Sequence, residues 1–170
     1  LTGAGSGEFG HMTISQNGNR CTCGSTGCLE AQASFEVLAR KVFSRTASSE
    51  LKELYSSVKA TETSEIHYLK RAVEIDRETT IGVFQEYSED IGTALKNLIN
   101  IFAPDYLLIG GEALEFSEFF LESSIDNARR NAFSSLADNV VFDIDRIGEK
   151  AWTLGCIYRV IESELFTVRR

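Results

Sequence analysis

The chain has 170 residues, of which 43% are hydrophobic and 25% charged, and a formal net charge of −8. A chain of this length buries roughly 70% of its unfolded surface, so it needs no disulfide to fold. No apolar run approaches the ~20 residues of a membrane helix and no signal peptide is recognisable, so a cytoplasmic protein with no membrane partner is expected. The acidic balance argues against direct DNA binding, because DNA affinity depends on neutralising phosphates with basic groups.

The first 30 residues are rich in glycine and turn residues, and the chain starts with "LTGAGSGEFGHM" rather than with Met. We expect a fragment of a longer protein, with any DNA-reading part elsewhere. From Ala31 the pattern becomes helical: "EAQASFEVLARKVFSR" places its apolar side chains near one face. Two further amphipathic segments, "SSELKELYSSV" and "TSEIHYLKRAVEI", open with Ser or Thr candidate caps.

The longest helical pattern runs from about Asp76 to Phe102 and is ended by Pro104, the only proline. Its predicted apolar stripe consists of Phe84, Tyr87, Ile91, Leu95, Leu98 and Phe102. A buried strand, Tyr106 to Ile109, is expected next. A helix within "EFSEFFLESSIDNARRNAF", a strand within "NVVFDIDRI" and a closing helix, "EKAWTLGCIYRVIESELF", follow. Alternating strands and helices predict an α/β architecture with a helical subdomain.

Four residues with metal-ligating side chains lie within an eighteen-residue stretch: His11, Cys21, Cys23 and Cys28. A disulfide is disfavoured, because cysteines one residue apart rarely meet its geometry and cytosolic thiols stay reduced. A catalytic thiol is disfavoured as well, because it needs a nearby base and three clustered cysteines indicate shared ligation.

Zinc accounts for all four residues, because three thiolates and one imidazole form a known closed tetrahedral set. Gly24 and Gly27 allow the cysteine segment to fold back, and "QNGN" provides a turn that returns it to His11. A closed site has no position for water, so its expected role is structural. The second ring nitrogen of His11 remains free to form a hydrogen bond.

The motifs "GEFGH" and "CTCGSTGCLE" resemble the signature of the ROK family (repressors, open reading frames, kinases), within the sugar kinase/actin/Hsp70 superfamily. Within the family, the sequence resembles the transcriptional regulators, of the kind that repress xylose operons, more closely than the kinases. It runs from Gly3 to about Ser34 and continues more weakly through "PDYLLIGGEALE" and the closing helix. It implies one α/β C-terminal lobe of the actin-like ATPase, ribonuclease H-like superfamily over residues 1–170. Its parts would be a sugar and zinc motif segment (1–34), a mainly helical region (35–103) and a strand-helix region with the closing helix (104–170).

The resemblance also implies residue roles. His11, Cys21, Cys23 and Cys28 would hold structural zinc, and Glu8, His11 and Glu30 would bind sugar hydroxyls. A sugar hydroxyl both donates and accepts hydrogen bonds, so carboxylates beside an imidazole suit it. The alternative for Glu8 and Glu30 is an ordinary surface acid.

The pair Gly110 and Gly111 resembles the adenosine-side turn of the superfamily, because paired glycines let the backbone approach a ligand closely. The alternative is a plain strand-to-helix turn. Glu112 and Glu115 favour this alternative, because carboxylates near a helix start compete with an anion.

Two functions from different classes follow from the resemblance. The first is the sugar-binding domain of a homo-oligomeric regulator of carbohydrate metabolism, which would bind DNA only through an absent N-terminal helix-turn-helix. The second is the C-terminal half of an ATP-dependent glucokinase- or fructokinase-like enzyme, whose catalytic Asp and phosphate-binding lobe are also absent. The fragment itself is expected to be inert in either case, with no catalytic residue. A third hypothesis is a structural zinc domain that binds no sugar.

Overall fold

The structure is a computed structural model that describes residues 7–61, 64–145, 147–148 and 150–161. Residues 1–6 and 162–170, which the sequence assigns to the motif segment and the closing helix, lie outside it. Two 3-10 turns, Phe9–His11 and Glu112–Phe116, accompany the main elements. In chain order these are α1 (Leu29–Ala33), α2 (Phe35–Arg45), α3 (Ser49–Thr61), α4 (Glu65–Ile75), α5 (Arg77–Phe102), β1 (Tyr106–Ile109), α6 (Ser117–Asn131), α7 (Ser134–Ala137), β2 (Val141–Ile144) and α8 (Lys150–Ile161).

Side-chain caps set the starts of several helices. The Ser64 hydroxyl accepts a hydrogen bond from the Ile66 amide at the start of α4, and the Ser48 hydroxyl accepts one from the Leu51 amide near the start of α3. Both bonds satisfy amides that lack partners within the helix. Ser34, an extended residue that caps α2, interrupts the single helix expected after Ala31 and separates α1 from α2.

Helix α5 confirms the longest predicted helix. Asp76 caps its N-terminus by accepting from the Thr79 amide, and Ala103 ends it in a left-handed conformation before Pro104. The stripe is wrong at its C-terminal end, where Ile99 is buried and Phe102 is 48% exposed. Helix α6 explains the difference, because Ile99 packs with Ala128 of α6.

The main core lies between the helices, and most of its large side chains come from α2, α4, α5 and α6. Phe84 of α5 is its aromatic centre: its ring centroid lies 5.0 Å from that of Phe116 and 6.4 Å from that of Phe120. Tyr87 meets Phe120 edge to face at 4.8 Å. These aromatic contacts join the helical region to the segment that follows β1.

Strands β1 and β2 pair in parallel, with Tyr106 opposite Val141 and Leu108 opposite Asp143. Leu107, Ile109 and Phe142 pack against the α5 and α6 helices. On the other face, Tyr106, Leu108 and Val141 are 51%, 60% and 55% exposed. The predicted buried strand is therefore buried on one face only, because the described helices cover only that face. The α/β architecture is confirmed.

Helix α8 exposes much of its described surface, and Cys156 and Tyr158 are both exposed. The reason is that no described element buries this helix; the side chain of Trp152 lies outside the description. Within the described ranges, no helix is both long and apolar enough to cross a membrane.

Candidate metal centre

The segment that carries His11 lies beside the segment that carries Cys28. His11 ends a 3-10 turn in which its amide donates to the Glu8 carbonyl at 3.1 Å. The chain then runs antiparallel to residues 27–29: the Ile14 amide donates to Gly27 at 2.8 Å, and the Leu29 amide donates to Met12 at 2.9 Å. This pairing amounts to one isolated bridge, Thr13 with Cys28, rather than a strand.

Two tight turns bring the remaining cysteines to the same place. The Cys21 amide donates to the Ser25 carbonyl at 2.8 Å, and the Gly24 amide donates to the Cys21 carbonyl at 3.0 Å. Gly24 and Gly27 have φ values of +93° and +77°, which L side chains rarely adopt. A Cβ atom on Gly27 would lie 1.6 Å from the Ser15 carbonyl oxygen. The fold-back of this loop therefore requires glycine at position 27.

The ligand atoms of His11, Cys21, Cys23 and Cys28 all lie within 4.8 Å of one another. The Cys23 and Cys28 sulfurs are 3.7 Å apart, and the Cys21 sulfur is 3.6 Å from His11 Nδ1. In a tetrahedral site, bonds of about 2.3 Å to sulfur and 2.0 Å to nitrogen separate two sulfurs by about 3.8 Å and a sulfur from a nitrogen by about 3.5 Å. The cluster can hold a metal ion, and all four cysteines of the chain are free.

The thiols differ in how readily they ionise. A backbone hydrogen bond at Ser25, aided by Cys21, lowers the pKa of Cys23 to about 7. Burial, followed by the neighbouring thiols, raises the pKa of Cys28 to about 12. Because a metal binds the thiolate, a cation in the cluster would supply the positive charge that ionised Cys28 lacks.

Of the three residues expected to contact sugar, the structure brings two together. Glu30 lies in the first turn of α1, and its Oε2 is 3.7 Å from His11 Nδ1. Glu8 is exposed three residues before His11, and its side chain makes no capping hydrogen bond. Since Nδ1 faces the Cys21 sulfur, Nε2 is the ring nitrogen left for a ligand.

Side chains that the sequence analysis did not single out support this loop. Asn19 Nδ2 donates to the Ala31 carbonyl at 2.8 Å and to Gln32 Oε1 at 3.3 Å. The Phe9 ring meets the Phe102 ring edge to face at 5.9 Å, which joins the loop to α5. The only feature of the sequence that pointed to Asn19 is the turn "QNGN", and a turn motif does not identify the hydrogen bonds that its side chains form.

The glycine pair of the candidate nucleotide turn follows β1. Gly111 has a φ of +111° and precedes the 3-10 turn that contains Glu112 and Glu115. Asp145, just after β2, donates its amide to the Ile109 carbonyl at 2.8 Å. The turn therefore lies at the carboxyl ends of two parallel strands, where open α/β sheets bind ligands, but it carries carboxylates that repel phosphate.

Comparison with known proteins gives consistent matches. The family model described as "ROK family" matches residues 1–162. The chain is 31% identical over 160 residues to the xylose repressor of Caldicellulosiruptor bescii, an alignment that covers 94% of this chain and 40% of the repressor. The chain thus spans about 40% of the length of this curated relative.

Two solved structures extend the comparison. A ROK family transcriptional regulator, a homologue of the Escherichia coli MLC protein, matches with 25% identity and a TM-score of 0.65 over 82% of this chain and 34% of that one. The ROK family glucokinase of Streptomyces griseus, in complex with glucose and AMPPNP, matches with 25% identity and a TM-score of 0.65 over 87% of this chain and 49% of that one.

Proposed function

The chain belongs to the ROK family, and from that premise we propose that it is the sugar-binding, zinc-containing C-terminal domain of a ROK-type transcriptional regulator of carbohydrate metabolism. The observation that carries the proposal is the position of Glu30, whose carboxylate lies 3.7 Å from a histidine of the metal cluster. The similarity to a xylose repressor supports a regulator. The α/β fold is that of ROK regulators and kinases, the actin-like ATPase fold.

The residues fit zinc in type, number and spacing. His11, Cys21, Cys23 and Cys28 would hold the ion, and the sulfur–sulfur and sulfur–nitrogen distances of 3.7 and 3.6 Å match tetrahedral zinc geometry. When bound, zinc would cross-link the loop without an open coordination position for water. Its role would be to fix the chain on either side of Glu30 and His11.

The sugar contacts would come from the residues that flank the cluster. The carboxylates of Glu8 and Glu30 accept hydrogen bonds from hydroxyls, and His11 Nε2 donates one when its Nδ1 is bound elsewhere. Charged acceptors form stronger hydrogen bonds than neutral acceptors. The side chains of His11 and Glu30 are 35% and 51% exposed, so a ligand can reach both.

As a regulator domain, this chain would act on DNA indirectly. Its net charge of −8 makes it a poor partner for phosphates, so DNA contact would come from a helix-turn-helix outside this chain. Sugar would change DNA affinity only to the extent that it binds one arrangement of the whole protein more tightly than another.

A second candidate function is the C-terminal half of a ROK hexose kinase. The similarity to the S. griseus glucokinase favours it, and Gly110 and Gly111 would then contact the nucleotide. A kinase would turn over sugar in the presence of ATP and Mg²⁺, whereas a regulator would bind sugar without turnover.

The test substitutes Glu30→Gln in the complete gene product that contains this chain. Isothermal titration with D-xylose and D-glucose should show a loss of affinity of about tenfold or more, because a hydrogen bond to a charged group contributes about 1.5–3 kcal/mol. Zinc content should stay at the level of the unsubstituted protein. Glu53→Gln, at an exposed position of α3, is the control for the loss of one negative charge.

The outcomes separate the hypotheses. Unchanged sugar affinity in both Glu30→Gln and Glu8→Gln would mean that the complete protein binds sugar elsewhere, and would leave this chain as a structural zinc domain. Steady ATP-dependent phosphorylation of either sugar would identify the kinase.

A further inference from the structure

We propose that Asn19 and Gln32 are positioning residues that couple the metal loop, residues 11–28, to α1, so that metal binding increases the affinity of the sugar site. This inference rests on the proposed function. Together these two side chains form the Asn19–Gln32 clamp. Neither is one of the four candidate ligands. Asn19 lies in the metal loop, and Gln32 lies on α1, the helix that carries Glu30.

The clamp connects three segments through one residue. The Asn19 carbonyl accepts from the Gly27 amide at 2.9 Å, next to the ligand Cys28. The Asn19 side chain reaches the other way, donating to the Ala31 carbonyl at 2.8 Å and to Gln32 Oε1 at 3.3 Å. Asn19 therefore fixes the loop between Cys21 and Cys28 relative to α1 through both its main chain and its side chain.

The bond to Ala31 also completes the helix. Helix α1 has only five residues, Leu29–Ala33, so Ala31 is among the residues whose carbonyls lack the regular partner inside the helix. Asn19 supplies that partner, one residue from Glu30. A donor in the metal loop therefore helps to fix the α1 backbone next to Glu30.

Gln32 is packed where polar atoms are costly. A Cβ on Gly18 would lie 2.0 Å from Gln32 Nε2 and 2.9 Å from the Gly27 Cα, so the loop, the turn and α1 are in close contact here. Gln32 Nε2 is buried and has no hydrogen-bond partner among the described residues. An unsatisfied buried amide destabilises the fold, so stability alone favours an apolar side chain. The role of Gln32 as the acceptor for Asn19 explains why the amide is present.

Coupling is measured as the ratio of sugar affinities with and without metal. In the unsubstituted complete protein, Zn²⁺ should raise the affinity for D-xylose or D-glucose by about tenfold or more, within the usual range of linked sites. Asn19→Asp has the same shape but lacks the amide donor, and it should reduce this ratio by about threefold or more. Asn17→Asp, exposed in the same turn, places the same charge nearby and should leave the ratio unchanged.

Two further readouts separate positioning from general loss of structure. The absorption bands of the Co²⁺-substituted protein should be the same in Asn19→Asp as in the unsubstituted protein, because the ligands are retained. Gln32→Met removes the acceptor and the unsatisfied nitrogen together. It should lower the ratio while the Tm stays equal or rises.

The possible results distinguish a failure of the clamp from a failure of the proposed function. Normal sugar binding with an unchanged ratio in Asn19→Asp and Gln32→Met overturns the clamp and leaves the sugar site standing. A ratio that falls only together with the Co²⁺ bands and the Tm overturns it too, because the residues would then be structural. Absence of sugar binding in the unsubstituted protein overturns the proposed function and this inference with it.

Discussion

His11 lies where the metal cluster and the proposed sugar site meet. One ring atom, Nδ1, is 3.6 Å from the Cys21 sulfur and 3.7 Å from Glu30 Oε2. A ring nitrogen that binds a cation carries no hydrogen and cannot donate to a carboxylate. Once Nδ1 is a ligand, Glu30 needs another donor, and a sugar hydroxyl is a donor of the right kind. The same ring can thus contact two partners, with Nδ1 facing the metal cluster and Nε2 facing the ligand.

The metal loop should tolerate alanine at one of its left-handed glycines and not at the other. Gly27→Ala would place Cβ 1.6 Å from the Ser15 carbonyl oxygen, which forces the loop apart. A Cβ at Gly24 has nothing within 4 Å, so Gly24→Ala costs only the free energy of placing alanine in a left-handed conformation, about 1–2 kcal/mol. Zinc per chain, measured by mass spectrometry after gel filtration, should fall well below one in Gly27→Ala and stay near one in Gly24→Ala. Equal zinc content in the two variants would contradict this loop geometry.

At the residue scale, the sequence predicted the cluster because the identities and spacing of Cys and His already limit the chemistry. The four side chains do converge in the structure. The bonds of Asn19 were not predictable, because they join residues twelve and thirteen positions apart. Asn is common in turns for reasons that require no distant partner, so only the three-dimensional path of the loop identifies them.

At the scale of elements, α5 organises the molecule, because its 26 residues contact both the helical region and α6. Gly92 allows the close approach to α6: a Cβ there would lie 2.7 Å from the Asn127 Cβ and 3.0 Å from the Ser124 carbonyl oxygen. Gly82, ten residues earlier in the same helix, has nothing within 4 Å of that position. An alanine at Gly82 therefore changes helix propensity alone, whereas an alanine at Gly92 changes both helix propensity and the packing against α6.

Alanine should have opposite effects at these two positions. Gly82→Ala should raise the free energy of unfolding by about 1 kcal/mol, the propensity difference between the two residues. Gly92→Ala gains the same propensity but overpacks the α5–α6 contact, at a cost of about 1–3 kcal/mol. Urea unfolding of the zinc-loaded chain should therefore rank Gly82→Ala above Gly92→Ala by about 1 kcal/mol or more. A Gly92→Ala protein as stable as Gly82→Ala would mean that the helices do not pack this closely.

The sequence predicted elements well where local chemistry decides them. Asp76 and Pro104 determine the ends of α5 through a side-chain cap and a missing amide. Burial is predicted less well where it depends on distant elements: Ile99 is buried and Phe102 is exposed, because α6 packs on the side of Ile99. Ser34 was not assigned as a cap, because a serine is equally compatible with an exposed helical position.

At the scale of the whole molecule, the outer face of the sheet is the least typical feature. Parallel sheets are ordinarily covered on both faces, yet Tyr106, Leu108 and Val141 stay more than half exposed on one face. Several apolar side chains of α8 are also exposed, among them Leu154 and Ile157. The apolar pattern of the strands did not predict this exposure, because an apolar run indicates burial without identifying the element that covers it.

The chain on its own should self-associate through this outer face, because exposed apolar patches and strand edges favour contacts between copies. Leu108→Lys places a charge at the centre of the face, opposite Asp143, without altering the inner face that packs on the helices. Light scattering after gel filtration, over a concentration series, should show oligomers for the unsubstituted chain and a shift toward monomer for Leu108→Lys. Gln85→Lys, at an exposed position of α5, adds the same charge and should leave the distribution unchanged. A chain that stays monomeric throughout the series would contradict the prediction. An equal shift in both variants would trace association to net charge rather than to this face.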